Sequence, residues 1–550
     1  MNDFHQKVIY QVYPKSFRDS NGDGVGDLLG VTEKIPYLAE LGIDMIWLNP
    51  FYVSPQKDNG YDVANYIEID PLFGTMADFE LLVKTAKSYD IEIMLDMVLN
   101  HTSIQHEWFQ KALAGDKAYE DFYITREGKA DGSLPTNWES KFVGPAWEKF
   151  GETNRYYLRL FDVTQGDLNW KNPDVRDALY DVVNFWIAKG VTGFRFDVVN
   201  LIDKPAIFED DLLGDGRRFY TDGAKVHDYL KELNQRTFGK LPEAITVGEM
   251  SSTTIKDCVG YSNPNDKELS MTFSFHHLKV DYVNGQKWSK MPFDFMALKG
   301  ILHDWQVGMA EGNGWNALFW NNHDQPRALS RFGNDTTYRV KSAQMLAASI
   351  HLLRGTPYIY QGEEIGMTNP YFDNITTYQD VESQNAYHHL TSDGHTTEEA
   401  MAIIKDKSRD NSRTPMQWDA SENGGFTTGK PWLSVAANYH EINVENELKH
   451  GEIFSFYQKL IQLRKAYPII SIGDYQGLLL EHPTVFAYLR TYKSQQLVVL
   501  NNFYDTATTV TLPEELLSKK AVRLIGNDEA KELTQGYELA PYETVAFLIG

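Results

Sequence analysis

The chain has 550 residues, 42% of them hydrophobic and 23% charged, with a formal net charge of −24 and a mean hydropathy of −0.42. That length exceeds a single hydrophobic core, so two or three domains are expected. The acidic balance excludes a nucleic-acid binder, which needs a basic face for phosphates, and makes an anionic ligand a poor match unless cations gather locally. No apolar segment is long enough to span a bilayer, and Met1 to Gln11 lacks the basic-then-apolar pattern of a signal peptide. Cys258 is the sole cysteine, which removes any intrachain disulfide and places the chain in the cytoplasm. No nucleic-acid, membrane or obligatory protein partner is expected.

Taken in order, the first half repeats a unit of short apolar strand, polar loop and amphipathic helix. Val8–Tyr13 and Asp44–Leu48 read as strands. Between them, Thr32–Leu41 carries apolar residues at helical spacing and stops at Gly42, a natural helix C-terminus. Glu92–Leu99, Gly193–Val199, Ala244–Gly248, Met271–Phe275, Ala317–Asn321 and Pro357–Tyr360 extend the series to eight. Strands alternating with helices mean a parallel sheet, and eight of them predict an α/β fold, a (β/α)8 TIM barrel. The barrel covers 1–100 and 171–470. Residues 101–170 break the alternation and form a small inserted domain after strand 3, since long structureless loops are uncommon. A second, polar and partly helical insertion covers Tyr371–Asp406. Residues 471–550 switch to alternating strands, a C-terminal all-β domain of sandwich type.

Four polar clusters sit where strands end: Asp96 with His101, Arg195 with Asp197, Glu249, and His323 with Asp324. A buried parallel strand is apolar throughout, so these charges belong at its carboxyl end, where barrel strands converge on one pocket. An Arg195–Asp197 pair alone reads as structural. Four such clusters on one face carry more charge than packing explains. One carboxylate to attack and one carboxylic acid to protonate the leaving oxygen is the equipment of glycoside hydrolysis. The 31 Tyr and 12 Trp suit the apolar faces of sugar rings, although many must be core.

In these segments the chain resembles the α-amylase superfamily of glycoside hydrolases. Asp96–His101, Gly193–Asp197, Gly248–Glu249 and Asn322–Asp324 match its four signature regions in order, and Gln165–Asn169 resembles a fifth. The resemblance implies that Asp197 is a nucleophile forming a covalent glycosyl-enzyme and that Glu249 is the general acid and then base. It further implies that Asp324 grips sugar hydroxyls in the distorted transition state. Arg195 would hold Asp197 ionised, and His101 and His323 would donate to hydroxyls of the bound glucose. In exo-acting relatives an aspartate matching Asp58 pairs with an arginine matching Arg413 behind the terminal sugar, with Tyr61 stacked beneath it. Asn59-Gly60 alone would be read as a turn.

Asp19, Asn21, Asp23, Val25 and Asp27 space oxygens at alternate positions around glycines, as calcium loops do. The exo-glucosidase branch implies a structural Ca2+ there, and no organic cofactor. His276, Lys279 and Lys287 supply the local cations that an anionic sugar would require. With Asn137–Phe142 and Asp215–Gly223 they resemble a phosphate-accepting branch, which implies cleavage of the phosphorylated disaccharide trehalose 6-phosphate to glucose and glucose 6-phosphate. Val198 after the nucleophile resembles members acting on linkages other than α-1,4. The alternative is an oligo-1,6-glucosidase acting on neutral isomalto-oligosaccharides. A non-catalytic transporter subunit is disfavoured because Asp197, Glu249 and Asp324 are all present.

Overall fold

A computed structural model describes residues 4–550. Its centre is eight parallel strands: β1 (Ile9–Val12), β2 (Met45–Leu48), β3 (Glu92–Met97), β4 (Gly193–Phe196), β5 (Ile245–Glu249), β6 (Met271–Phe273), β7 (Ala317–Leu318) and β8 (Thr356–Tyr360). They pair in the order β6-β5-β4-β3-β2-β1-β8-β7, and a parallel bridge between Thr272 and Asn316 joins β6 to β7. The sheet therefore closes into the expected barrel. Every residue of β1, β2 and β4 is buried, because helices cover the outside and side chains fill the inside. Packing is tight at Gly193, where a Cβ would lie 2.7 Å from the Met94 Cβ.

The helix expected over Thr32–Leu41 is broken. Leu28–Glu33 and Ile35–Leu41 are separate helices. Pro36 has no N–H to donate and its ring crowds the preceding turn, so it sits at the start of the second helix. The end falls where the sequence places it, at Gly42 with φ +94°.

After β3 the chain leaves the barrel. Thr125–Glu127, Arg155–Leu158 and Trp147–Lys149 make a three-stranded antiparallel sheet, and His101–Ser103 pairs with Gln165–Asp167. Trp138 anchors this excursion: it is buried, stacks on Phe219 at 5.5 Å, and lies 5.6 Å from Tyr220. After β8, helices Val381–Ser392 and Thr397–Lys407 lead into the short helix Asp410–Arg413.

The C-terminal region holds a five-stranded antiparallel sheet and a two-stranded ribbon. Its strands Val485–Tyr492 and Gln495–Asn502 are buried on both faces over most of their length. Val485, Ala487 and Leu489 meet the ribbon's Val510 and Leu539. Phe486 and Tyr488 face the barrel layer, where the Tyr488 hydroxyl donates to the Ser349 carbonyl at 3.1 Å. Among the described residues no helix is long and apolar enough to cross a membrane.

Candidate active site

Strand register assembles the centre of the site. Arg195 pairs with Asp96 across β3–β4 and with Val247 across β4–β5, which sets Glu249 two residues further along β5. The Arg195 Nη1 donates to Asp96 at 2.6 Å and to Asp197 at 2.7 Å, and Nη2 donates to Glu249. One guanidinium therefore carries three carboxyl groups. Asp197 lies just past β4, its N–H bonded to the Met97 carbonyl at 3.0 Å. The next residue, Val198, has φ +36°, a left-handed conformation that a β-branched residue adopts only under strain. Packing against Trp138, Leu201 and Tyr220 holds it there.

Burial pushes the Asp197 carboxyl well above the ordinary range. Arg195 opposes that shift, while the Glu249 and Asp96 charges add to it. Burial likewise pushes Asp96 up to about 6, again against Arg195. One positive charge is shared among three buried carboxyls, which disfavours ionising all of them at once. A nucleophile and a general acid need that: two close carboxyls, one charged and one protonated.

The neighbouring wall is a hydrogen-bonded stack. Tyr61 and His323 are parallel within 4° at 5.2 Å. The Tyr61 hydroxyl donates to Asp96 at 2.8 Å and accepts from Asn49 at 2.7 Å. Gln11 and Asn49 aim their amide nitrogens at the His323 Nδ1, at 3.0 and 3.2 Å, which places the ring proton on Nε2. That nitrogen is 3.2 Å from Asp324. Burial lowers the His323 pKa to about 3, so it is a neutral donor. Burial alone would raise Asp324, but His323, Arg409 and Arg413 hold it well below the usual carboxylate range. His101, lowered by burial to about 4, is also neutral, and its Nε2 faces the Tyr61 carbonyl at 3.2 Å.

The expected Asp58–Arg413 pair is not the contact formed. Arg413 bonds Asp324 at 2.8 Å and the His323 carbonyl at 2.8 Å. Asp58 instead accepts from the Gln165 amide at 3.0 Å and faces Arg409 at 3.9 Å. Arg409 and Arg413 are four residues apart across the Asp410–Arg413 turn, so both point at the pocket, and Arg409 is the one nearer Asp58. Arg409 also meets Asp380 at 2.6 Å and Asp324 at 3.3 Å. Burial raises the Asp58 carboxyl to about 7 against the pull of Arg409. Sequence reasoning missed Arg409, Asp380, Asn49 and Gln11 as members of the site, and gave Gln165 only as the start of the fifth signature region.

The three expected phosphate ligands differ in how they are held. His276 packs on Trp305 at 4.9 Å and bonds Ser274 at 3.0 Å. Lys279 is exposed, and enclosure by surrounding protein together with the Arg217 charge lowers its ammonium. Lys287 is already paired with Glu382 at 2.7 Å. His277 is packed, its Nε2 2.9 Å from the Phe319 carbonyl. An unexpected member is Lys141, 3.1 Å from Ser251. Burial and then the Arg217 charge lower it to about 8, with Lys279 adding to the shift and Asp215 and Glu249 opposing it. Lys141, Arg217 and Lys279 thus share one region beside the Glu249 strand end.

In the Asp19–Asp27 turn the oxygens are occupied by the protein itself. Asp19 accepts from the Asn21, Gly22 and Gly24 N–H groups and the Thr427 hydroxyl. Asp27 accepts from Ser20 and from Gly30, whose helix it caps. Asn21 and Asp23 each accept one N–H, at 2.8 and 2.9 Å. Among the described residues no group of three or more His, Cys, Asp or Glu side chains is placed to hold a metal.

The closed barrel and its carboxyl cluster define a glycoside-cleaving centre. The α-amylase catalytic-domain model matches residues 11–473 and the C-terminal-domain model of the α-amylase SusG matches 485–546, so the chain belongs to the α-amylase family. It is 55% identical to the trehalose-6-phosphate hydrolase of Bacillus subtilis (strain 168) over 98% of this chain and 97% of that one. To the oligo-1,6-glucosidase of Parageobacillus thermoglucosidasius it is 46% identical, over 99% and 98%. The crystal structure of Bacillus licheniformis trehalose-6-phosphate hydrolase superposes with a TM-score of 0.97, at 52% identity and full coverage of both chains.

Proposed function

We propose that this protein hydrolyses α,α-trehalose 6-phosphate to glucose and glucose 6-phosphate with retention of configuration. The observation that carries the chemistry is the Arg195 guanidinium holding Asp197 and Glu249 side by side. The Asp197 carboxylate attacks the anomeric carbon of the unphosphorylated glucose while protonated Glu249 gives its proton to the departing glycosidic oxygen. Glucose 6-phosphate leaves. Glu249, now a carboxylate, takes a proton from water, whose oxygen displaces Asp197 and frees glucose. Asp324 and the Nε2–H of His323 hold sugar hydroxyls, and Tyr61 lies under the ring. Asp58 with Arg409 and Arg413 closes the rear, so the phosphate points to the rim, where His276, Lys279 and Lys287 are its proposed ligands. The near-full-length relatives of that specificity and this rim of cations support the substrate.

Initial rates on trehalose 6-phosphate, trehalose and isomaltose test the reading. A kcat/KM at least 100-fold higher on the phosphorylated sugar is expected, with Lys279→Ala raising KM about tenfold at similar kcat, the size of a lost charged hydrogen bond. Preference for isomaltose would make the protein an oligo-1,6-glucosidase and remove the phosphate site.

We propose further that it acts in the cytoplasm without an obligatory partner, since every residue in the mechanism belongs to this chain. A structural Ca2+ on Asp19, Asn21, Asp23, the Val25 carbonyl and Asp27 is supported by the alternate-residue run of hard oxygens. The hydrogen bonds already filling Asp19 and Asp27 weigh against it. Chelation should lower Tm by several degrees, restored by CaCl2. An unchanged Tm and no calcium by metal analysis would remove the ion.

A further inference from the structure

Lys287 meets its partner through a shared atom. The Glu382 Oε2 is 2.7 Å from the Lys287 Nζ and 3.3 Å from the Arg409 Nε. The two cations differ in what else they hold. Arg409 also reaches Asp380 at 2.6 Å, Asp324 at 3.3 Å and Asp58 at 3.9 Å, so it is neutralised without Glu382. Lys287 makes no other ion pair within 4 Å among the described residues, and its ammonium rests 4.8 Å over the Trp288 ring. Both members of the pair are partly exposed, at 21% and 25%, so an incoming anion can reach the lysine. Glu382 is the second residue of its helix, behind Asp380, whose carboxylate caps the helix and binds Arg409.

We propose that Glu382 is a built-in counter-anion that occupies Lys287 until substrate phosphate displaces it, and that retakes Lys287 as the phosphorylated product leaves. The proposal rests on Lys287 being a phosphate ligand. A phosphate dianion brings up to two charges and three acceptor oxygens against one carboxylate, so it wins Lys287 when seated. Glu382 then needs no new site, because the oxygen it frees already faces Arg409. Neutral sugars cannot make the exchange and gain nothing from Lys287. The arrangement costs binding affinity and returns it as faster release of glucose 6-phosphate, a step that often limits turnover.

The test compares wild type, Glu382→Gln, Glu382→Ala, Lys287→Met and the Glu382→Gln/Lys287→Met double variant. Each is assayed for KM on trehalose 6-phosphate and for inhibition by inorganic phosphate, glucose 6-phosphate and glucose. Freeing Lys287 in both Glu382 variants should lower the inhibition constants for phosphate and glucose 6-phosphate about two- to fivefold, the range of a partly exposed ion pair. Their ratio to the glucose constant should fall equally. KM on trehalose 6-phosphate should fall too, and the double variant should lose the gain. If Lys287→Met raises KM but the Glu382 variants bind phosphate no better than wild type, the counter-anion role is wrong and the phosphate reading stands. If Lys287→Met leaves KM unchanged, Lys287 does not read phosphate and both fall.

Discussion

Arg195 and Asp58 show how burial and charge are traded within this pocket. Arg195 is fully buried yet stabilised as a cation by Asp96, Glu249 and Asp197, while burial pushes Asp96 and Asp197 up against its pull. Asp58 is the sharper case. Its folded-state pKa is about 7 against an ordinary value of about 3.9, so between roughly pH 4 and pH 7 the folded state binds the proton more tightly than the unfolded. Stability contributed by that proton is full below about pH 4 and is lost as pH rises through 7. Asp58→Asn keeps the neutral form at every pH. The variant should therefore be close to wild type in stability near pH 4.5 and exceed it at pH 8 by on the order of 2 kcal/mol, read as a higher Tm, although sugar binding suffers. A Tm difference that stays constant from pH 4.5 to 8 would show that Asp58 is not held protonated.

At the scale of elements, what could be read from the chain is what depends on local pattern. The eight barrel strands announce themselves as short apolar runs, and the strand-end acids as charges that such runs cannot bury. Asp197, Glu249 and Asp324 were legible for that reason, because a (β/α)8 topology delivers all strand ends to one face. Helix ends were legible where chemistry is local, as at Gly42. The break at Pro36 is marked in the sequence too, because proline interrupts a helix even where apolar periodicity runs on through Thr32–Leu41. What stayed hidden is set by contacts distant in sequence. Arg409 and Arg413 stand on one face of a short helix, and which of them reaches Asp58 depends on how the excursion after β8 folds back over the barrel. Lys287 read as a free cation because its neutraliser, Glu382, lies 95 residues away. The C-terminal strands, expected to alternate with solvent, are covered on both faces because the barrel occupies the side that a free-standing domain would leave wet. Lys141 lies within the Asn137–Phe142 segment that carries the resemblance, but nothing local marks it as a site residue; the Trp138 anchor brings it beside Ser251.

Across the whole molecule, an acidic body must admit a dianion. The net charge of −24 acts over the full radius of a chain whose radius of gyration is about 24 Å for this length. The rim cations act over a few ångströms. Salt separates the two, because the Debye length falls from about 30 Å at 0.01 M to about 8 Å at 0.15 M ionic strength. At the lower value the field of the body extends past the pocket mouth and opposes the phosphate. At the higher value most of that repulsion is screened, while contacts to Lys279 and its neighbours, shorter than either length, change little. Spreading the charge over the body leaves about 1–2 kcal/mol less repulsion at 0.15 M than at 0.01 M. We expect kcat/KM on trehalose 6-phosphate to rise about five- to twentyfold between those salt concentrations and to decline again near 1 M, where the rim itself is screened. Trehalose, uncharged, should stay flat across the series and serves as the control. A steady fall for the phosphorylated sugar from the lowest salt upward would mean that the rim cations, not the acidic body, set the potential a substrate meets on approach.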